Sequence, residues 1–154
     1  MHLDLTQRSD LALQALDVIN RADGQTVSGP DIAGVLRISP HYLGTIMGPL
    51  TRAGWVRSST GPTGGYRIAV LLADRSVLDL IEAMEGAVDR EICMHGDPMQ
   101  PVVEACALHE PWTRSRDALL DVLAGTNLGD VLSSSDNTMH NGPHSADPST
   151  GSAR

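Results

Sequence analysis

The residues best equipped for chemistry lie in one short stretch, Glu91 to Glu110, EICMHGDPMQPVVEACALHE. It holds both cysteines of the chain, two of its six histidines and two prolines, with no helical or strand period. Cys93, His95, Asp97, Cys106 and His109 are side-chain types that ligate metals. Three readings of the thiols are open: small apolar residues, a disulfide, or a site that holds something. No apolar run is long enough to cross a bilayer, and MHLDLTQRSD has no signal-peptide core, so a cytoplasmic protein is expected. A reducing compartment disfavours a structural disulfide. Two cysteines with twelve residues between them then point to a metal or redox role more than to a staple. His109 gains weight from its i+3 placement after Cys106 and would otherwise read as a helix-surface residue. Zinc on Cys93, Cys106 and His109 is an alternative, although the spacing is not that of a zinc knuckle. No nucleophile elbow, phosphate loop, paired carboxylates or zinc-hydrolase signature is present, so an enzyme is not expected.

The charge distribution suggests a second kind of site. The formal net charge is −8, which taken alone argues against nucleic acid. Yet between Ile32 and Ala73 there are four arginines (Arg37, Arg52, Arg57, Arg67) and no acid, while fourteen of the nineteen acidic residues lie beyond position 73. Electrostatic fields fall off within about 8–10 Å in physiological salt, so a locally basic segment can meet a phosphate backbone on an acidic protein.

The elements that must carry these residues follow from periodicity. Apolar residues at helical spacing predict a first helix from Leu5 to about Ala22, ended by Gly24. Ser28 reads as the N-cap of a second helix with Pro30 in its first turn, and Ser39-Pro40 opens a third that buries Leu43, Ile46, Met47 and Leu50. Gly48-Pro49 is expected to kink that helix. Trp55–Ser58 and Tyr66–Val70 read as strands around a Gly61–Gly65 turn. A helix-turn-helix followed by a Gly-rich hairpin is a winged helix: mainly α, with a small β-hairpin wing. Ser76 caps a further helix that Gly86 stops. A long helix runs from about Cys106 to Leu123, with Asn127–Leu132 as its last, weaker turn. Such a terminal helix seldom buries both faces alone, which predicts a homodimer. The expected division is 1–73 for the winged helix-turn-helix, 74–132 for linker helix, loop and dimerisation helix, and 133–154 for a disordered tail.

In this arrangement the third helix enters the major groove of double-stranded DNA by its first turn. Ser39, His41, Tyr42 and Thr45 are then the residues nearest base edges. Arg52, Arg57 and Arg67 position the protein on phosphates, and Thr60 adds a hydroxyl at the wing.

The order of pieces resembles the winged-helix regulators that include the iron–sulfur cluster regulator and the nitric oxide-sensitive repressor. SDLALQAL, ISPHYL, LTRAGWVRSSTGPTGGYRIA, SVLDLIEAMEG, CALHEPW and TNLGDVL carry the resemblance, which covers roughly Met1 to Leu132. It implies a transcriptional regulator that senses redox state, nitric oxide or iron–sulfur status through an iron–sulfur cluster, [2Fe–2S] in kind, in the 91–110 loop. The alternative is a family member without a cluster, either an apo DNA-binding regulator or a dimeric protein-interaction module. Cys93 and Cys106 match the first and third family cysteines, and the middle one falls at or near Met99. His109 matches a histidine ligand of the cluster regulator. Asp10 matches an aspartate ligand supplied by the partner's first helix in the nitric oxide sensor, and His95 and Asp97 are additional candidates. Imidazole in place of thiolate raises the potential of such a centre. Glycine at position 44, where the cluster regulator carries a glutamate, and Thr60 in place of an arginine mean that operator preference does not transfer.

Overall fold

A computed structural model describes residues 6–88 and 108–138. Its elements in order are α1 (Gln7–Asn20), α2 (Gly29–Leu36), α3 (Pro40–Arg52), β1 (Val56–Ser59), β2 (Gly65–Ile68), a 3-10 turn (Leu72–Asp74), α4 (Val77–Glu85), α5 (His109–Gly125) and α6 (Leu128–Thr138). The expected winged helix is present, with β1 and β2 paired antiparallel from Val56↔Ile68 to Ser59↔Gly65.

Short polar residues start the helices as their chemistry requires. Ser28, Ser39 and Ser76 each accept the backbone N–H three residues on, at 3.1–3.2 Å, satisfying a donor the helix cannot. Ser76 and Asp79 complete a reciprocal capping box, the Asp79 carboxylate accepting the Ser76 N–H at 2.8 Å. Thr6 caps α1 in the same way, so that helix begins at Gln7, not Leu5. Gly86 stands at the end of α4 with φ 96°.

α1 lies at the centre, packed on α2, α3 and α4. Ala12, Ala15, Leu16 and Ile19 of α1 are sealed together with Ile32, Ile46, Met47, Leu50, Trp55 and Val56. With no Phe in the chain, aliphatic side chains and methionine fill this volume. Val27, just before α2, exchanges backbone hydrogen bonds with Tyr66 at 2.8 and 2.9 Å, adding one bridge to the edge of the hairpin. Gly65 makes this approach possible, since a Cβ there would collide with the Val27 carbonyl. Sequence pattern alone assigns that glycine only to the turn of the hairpin.

Several expectations for the C-terminal part change. The segment from Asn127 is not a last turn of the long helix. The chain extends at Thr126, Asn127 bridges back to Ser76, and α6 then forms as a separate helix. The Asn127 side chain accepts the Gly129 N–H at 2.6 Å and donates to the Ala73 carbonyl, fixing the junction to the 3-10 turn. Leu128 and Leu132 enter the same core as α1 and α3, so that core crosses the boundary expected at 73. Helix also continues to Thr138, six residues into the segment expected to be a disordered tail. Burial of Leu128 and Leu132 supplies the stabilisation that the polar sequence after them lacks. α3 extends without a break through Pro49, which is buried, to Arg52. The carbonyl that Pro49 leaves without a helical donor is that of Thr45, an exposed residue.

Candidate nucleic-acid interface

The N-terminal half of α3 presents one polar side to solvent. Ser39, His41 and Thr45 are exposed, whereas Leu43, Ile46 and Met47 face the core. Tyr42 is half-buried against the core, so its ring is anchored rather than free. The Thr45 hydroxyl donates to the Tyr42 carbonyl at 2.7 Å, leaving its lone pairs and methyl group outward. Gly44 adds no side chain here, and a Cβ at that position would meet nothing within 4 Å. The surface between His41 and Thr45 is therefore open.

Arg52, in the last turn of α3, is exposed, and its guanidinium lies along the helix where a Cβ on Gly48 would touch it at 3.4 Å. Arg57 and Arg67 sit directly opposite each other in the β1–β2 register, both exposed. Side chains at directly paired positions share a face of the hairpin, and like charges placed so are destabilising. Neither has a carboxylate partner among the described residues, whose ion pairs join Arg8 to Glu85, Arg21 to Asp17 and Arg116 to Asp117. The sequence explains why: no acid lies between Ile32 and Ala73. Thr60 is exposed at the tip of the hairpin. Of the residues expected to contact DNA, all but Tyr42 are thus solvent-facing.

The second candidate site is placed only in part. Cys93, His95, Asp97 and Cys106 lie outside the described residues. His109 is the first residue of α5, half-exposed overall, yet its Nδ1 is buried without a hydrogen-bond partner among the described residues. A buried imidazole nitrogen without a partner is uncommon, because such a group normally finds one. Asp10 is exposed in the first turn of α1 and accepts from the Gln14 amide at 2.8 Å. The structure does not bring Asp10 and His109 into one cluster, and no group of three metal-binding side chains occurs among the described residues.

A polar contact that the sequence did not indicate joins the start of α1 to the end of α4. The Thr6 hydroxyl donates to Glu85 Oε1 at 2.7 Å, and the hydroxyl of Ser9, only 1% exposed, lies 3.4 Å from the same oxygen. Arg8 approaches Glu85 Oε2 at 3.9 Å. The start of α1, where Asp10 lies, is tied to the last residue of α4, from which the chain leaves toward the cysteines. Residues 79 positions apart make this contact, so no local pattern could announce it.

α5 buries little. Leu120 is its one buried residue, while Leu108, Leu119 and Val122 are 53%, 42% and 65% exposed. Their spacing places them along one side of the helix. No helix among the described residues is long and apolar enough to cross a membrane.

Comparison with known proteins agrees with this architecture. Residues 5–134 match the Rrf2 family, described as an iron-dependent transcriptional regulator. The chain is 31% identical over 131 residues to the HTH-type transcriptional regulator IscR of Aliivibrio salmonicida, spanning 84% of this chain and 77% of that one. It is 35% identical over 109 residues to the HTH-type transcriptional regulator CymR of Bacillus subtilis, spanning 68% and 71%. The solved structure of CymR, the global cysteine regulator of B. subtilis, superposes with a TM-score of 0.69 at 28% identity, covering 86% of this chain and 98% of that one. A winged-helix fold, an acid-free run of four arginines in sequence and a family match over most of the length converge: the chain belongs to the Rrf2 family of transcriptional regulators.

Proposed function

We propose that the protein is a cytoplasmic, homodimeric regulator that binds operator DNA through α3 and the wing and responds to a cluster held at the start of α5. The observation that carries the DNA face is the opposed pair Arg57 and Arg67. A hairpin that places two cations opposite each other, with no acid nearby in sequence, accepts a folding cost that phosphate oxygens would offset. Arg52 adds a third positive charge at the end of α3, and Thr60 a hydroxyl at the tip. Ser39, His41, Tyr42 and Thr45 lead the helix into the major groove, with His41 and Thr45 free to reach base edges.

The exposed row Leu108, Leu119 and Val122 on α5 supports pairing with a second copy of the same helix. A two-fold dimer would set two reading helices about one turn of DNA apart.

The His109 Nδ1, buried and without a hydrogen-bond partner among the described residues, supports a role as a ligand beside Cys93 and Cys106, with Asp10 contributed across the dimer. An iron–sulfur cluster, [2Fe–2S] in kind, would supply a group sensitive to oxidants and nitric oxide. His109 begins the dimerisation helix, so a change in its bonding acts directly on α5. Glu85 holds the other end of the loop against α1. A coupling of about 1–3 kcal/mol between the two would change operator affinity roughly 5–150-fold.

The test of DNA binding is a salt titration of duplex binding. Phosphate contacts require affinity to fall steeply and linearly in log–log form; binding that ignores salt would refute the assigned face. The test of the cluster is the visible spectrum and the iron-to-sulfide ratio of protein purified without oxygen. Colourless, iron-free protein would leave a DNA-binding regulator without this cofactor.

A further inference from the structure

We infer that Arg37 is an additional phosphate-contacting residue of the DNA-binding face, retained at a backbone position that favours glycine. The inference rests on the DNA-binding reading above and adds to that face a residue not assigned to it there. Arg37 ends α2 with φ 55° and ψ 40°, the left-handed region. The hydrogen bonds around it define the reason. The Arg37 N–H donates to the Gly34 carbonyl at 3.2 Å, and the Ile38 N–H reaches back to the Ala33 carbonyl at 3.0 Å. This is the Schellman ending, in which the left-handed residue is usually glycine because a Cβ there crowds the following carbonyl. Ile38 packs against the core, so the turn cannot relax without pulling that side chain out.

The described residues contain two non-glycine positions with positive φ, Asp23 and Arg37. Asp23 needs no special account, since aspartate enters this region readily. Arginine lacks that ease, and the side chain gives the fold nothing visible in return. Arg37 is exposed, and no hydrogen bond or ion pair among the described residues holds its guanidinium. What it does have is position. It lies in the turn between α2 and α3, two residues before the Ser39 cap of the reading helix. It is also the first of the four arginines in the acid-free segment, with Arg52, Arg57 and Arg67 following. A strained residue with an unused charge beside a DNA-reading helix is a recognised signature of function. Phosphate is the ligand that a long, exposed guanidinium reaches from a turn, since base edges are taken by the helix itself.

The experiment separates strain from contact. The parent protein first selects duplexes from a random-sequence library, and the selected duplex is then used with R37G, R37A and R37K. Binding is followed by fluorescence anisotropy over a range of salt, and stability by thermal unfolding. R37G and R37A should each bind about tenfold or more weakly, and equally so for every sequence tested. Their log–log salt slopes should flatten by roughly one for each phosphate set free. R37K, which keeps the charge, should stay close to the parent. R37G alone should also melt a few degrees higher, because it relieves the left-handed backbone that R37A and R37K retain. R37G that binds like the parent with an unchanged slope overturns the inference and leaves the DNA reading intact. So does R37K as weak as R37A. A parent protein that selects no duplex removes the DNA reading itself, and with it this inference.

Discussion

Leu128→Ala should destabilise the whole winged-helix domain, although Leu128 lies 60 residues beyond the end of the wing at Ile68. Its side chain is 0% exposed and shares a core with α1 and α3. The substitution removes three carbons, worth about 2.4 kcal/mol at roughly 0.8 kcal/mol per buried methylene. The cavity left behind raises the cost, since neighbouring helices collapse into it only partly, and about 3–4 kcal/mol is expected. For a chain of this length each kcal/mol moves the melting temperature by about 2–4 °C, so a drop of roughly 6–16 °C follows. The assay is thermal unfolding by circular dichroism at one protein concentration, because subunit association also shifts the midpoint. Asp121→Ala, on the exposed side of α5, is the control and should stay within about 0.5 kcal/mol of the parent. Were α6 only a frayed end of the long helix, Leu128→Ala would match that control. Equal midpoints for the two variants would refute the placement of α6 in the core.

Three further outcomes are expected. Replacing Arg57 and Arg67 together by glutamine should flatten the salt dependence of DNA binding by about 0.9 for each phosphate no longer neutralised, read by anisotropy, while stability holds or rises slightly. Val122→Glu, at a position 65% exposed in one chain, should leave the fold intact but halve the mass seen in sedimentation, because the carboxylate would be buried between paired helices. His109→Ala should lower the iron and sulfide content of protein purified without oxygen and alter its visible spectrum. The helical content should be unchanged, since no hydrogen bond within the described residues uses His109 Nδ1.

Much of the reading head could be derived from local chemistry. Serine at 28, 39 and 76 caps a helix wherever its hydroxyl meets the N–H three residues on, and that depends on neighbours in sequence alone. The wing followed from Trp55–Val56 and Tyr66–Arg67–Ile68 flanking a glycine-rich turn, with its strands displaced by a residue or so. The exposed face of α3 followed from the spacing of Leu43, Ile46, Met47 and Leu50. The acid-free run of arginines is likewise a property of the chain, visible before any fold.

Other features depended on residues far apart in sequence. Asn127–Leu132 looked weak because it is short and polar beyond Leu132; its stability comes from Leu128 and Leu132 reaching a core built by α1 and α3. Gly65 looked like a residue of the hairpin turn alone until Val27, far earlier in the chain, approached it. Pairing of Arg57 with Arg67 required the register of the hairpin, and the tie of Thr6 and Ser9 to Glu85 required the packing of α1 on α4. The EICMHGDPMQPVVEACALHE segment shows the same division. Its residue types pointed to a ligand site, and the tertiary structure buries the His109 Nδ1, which has no hydrogen-bond partner among the described residues. Side-chain identity thus determined what each site can bind, because charge, capping and ligation are properties of single residues. Which of those groups face one another, and which are left without a partner, was decided by the packing of distant helices.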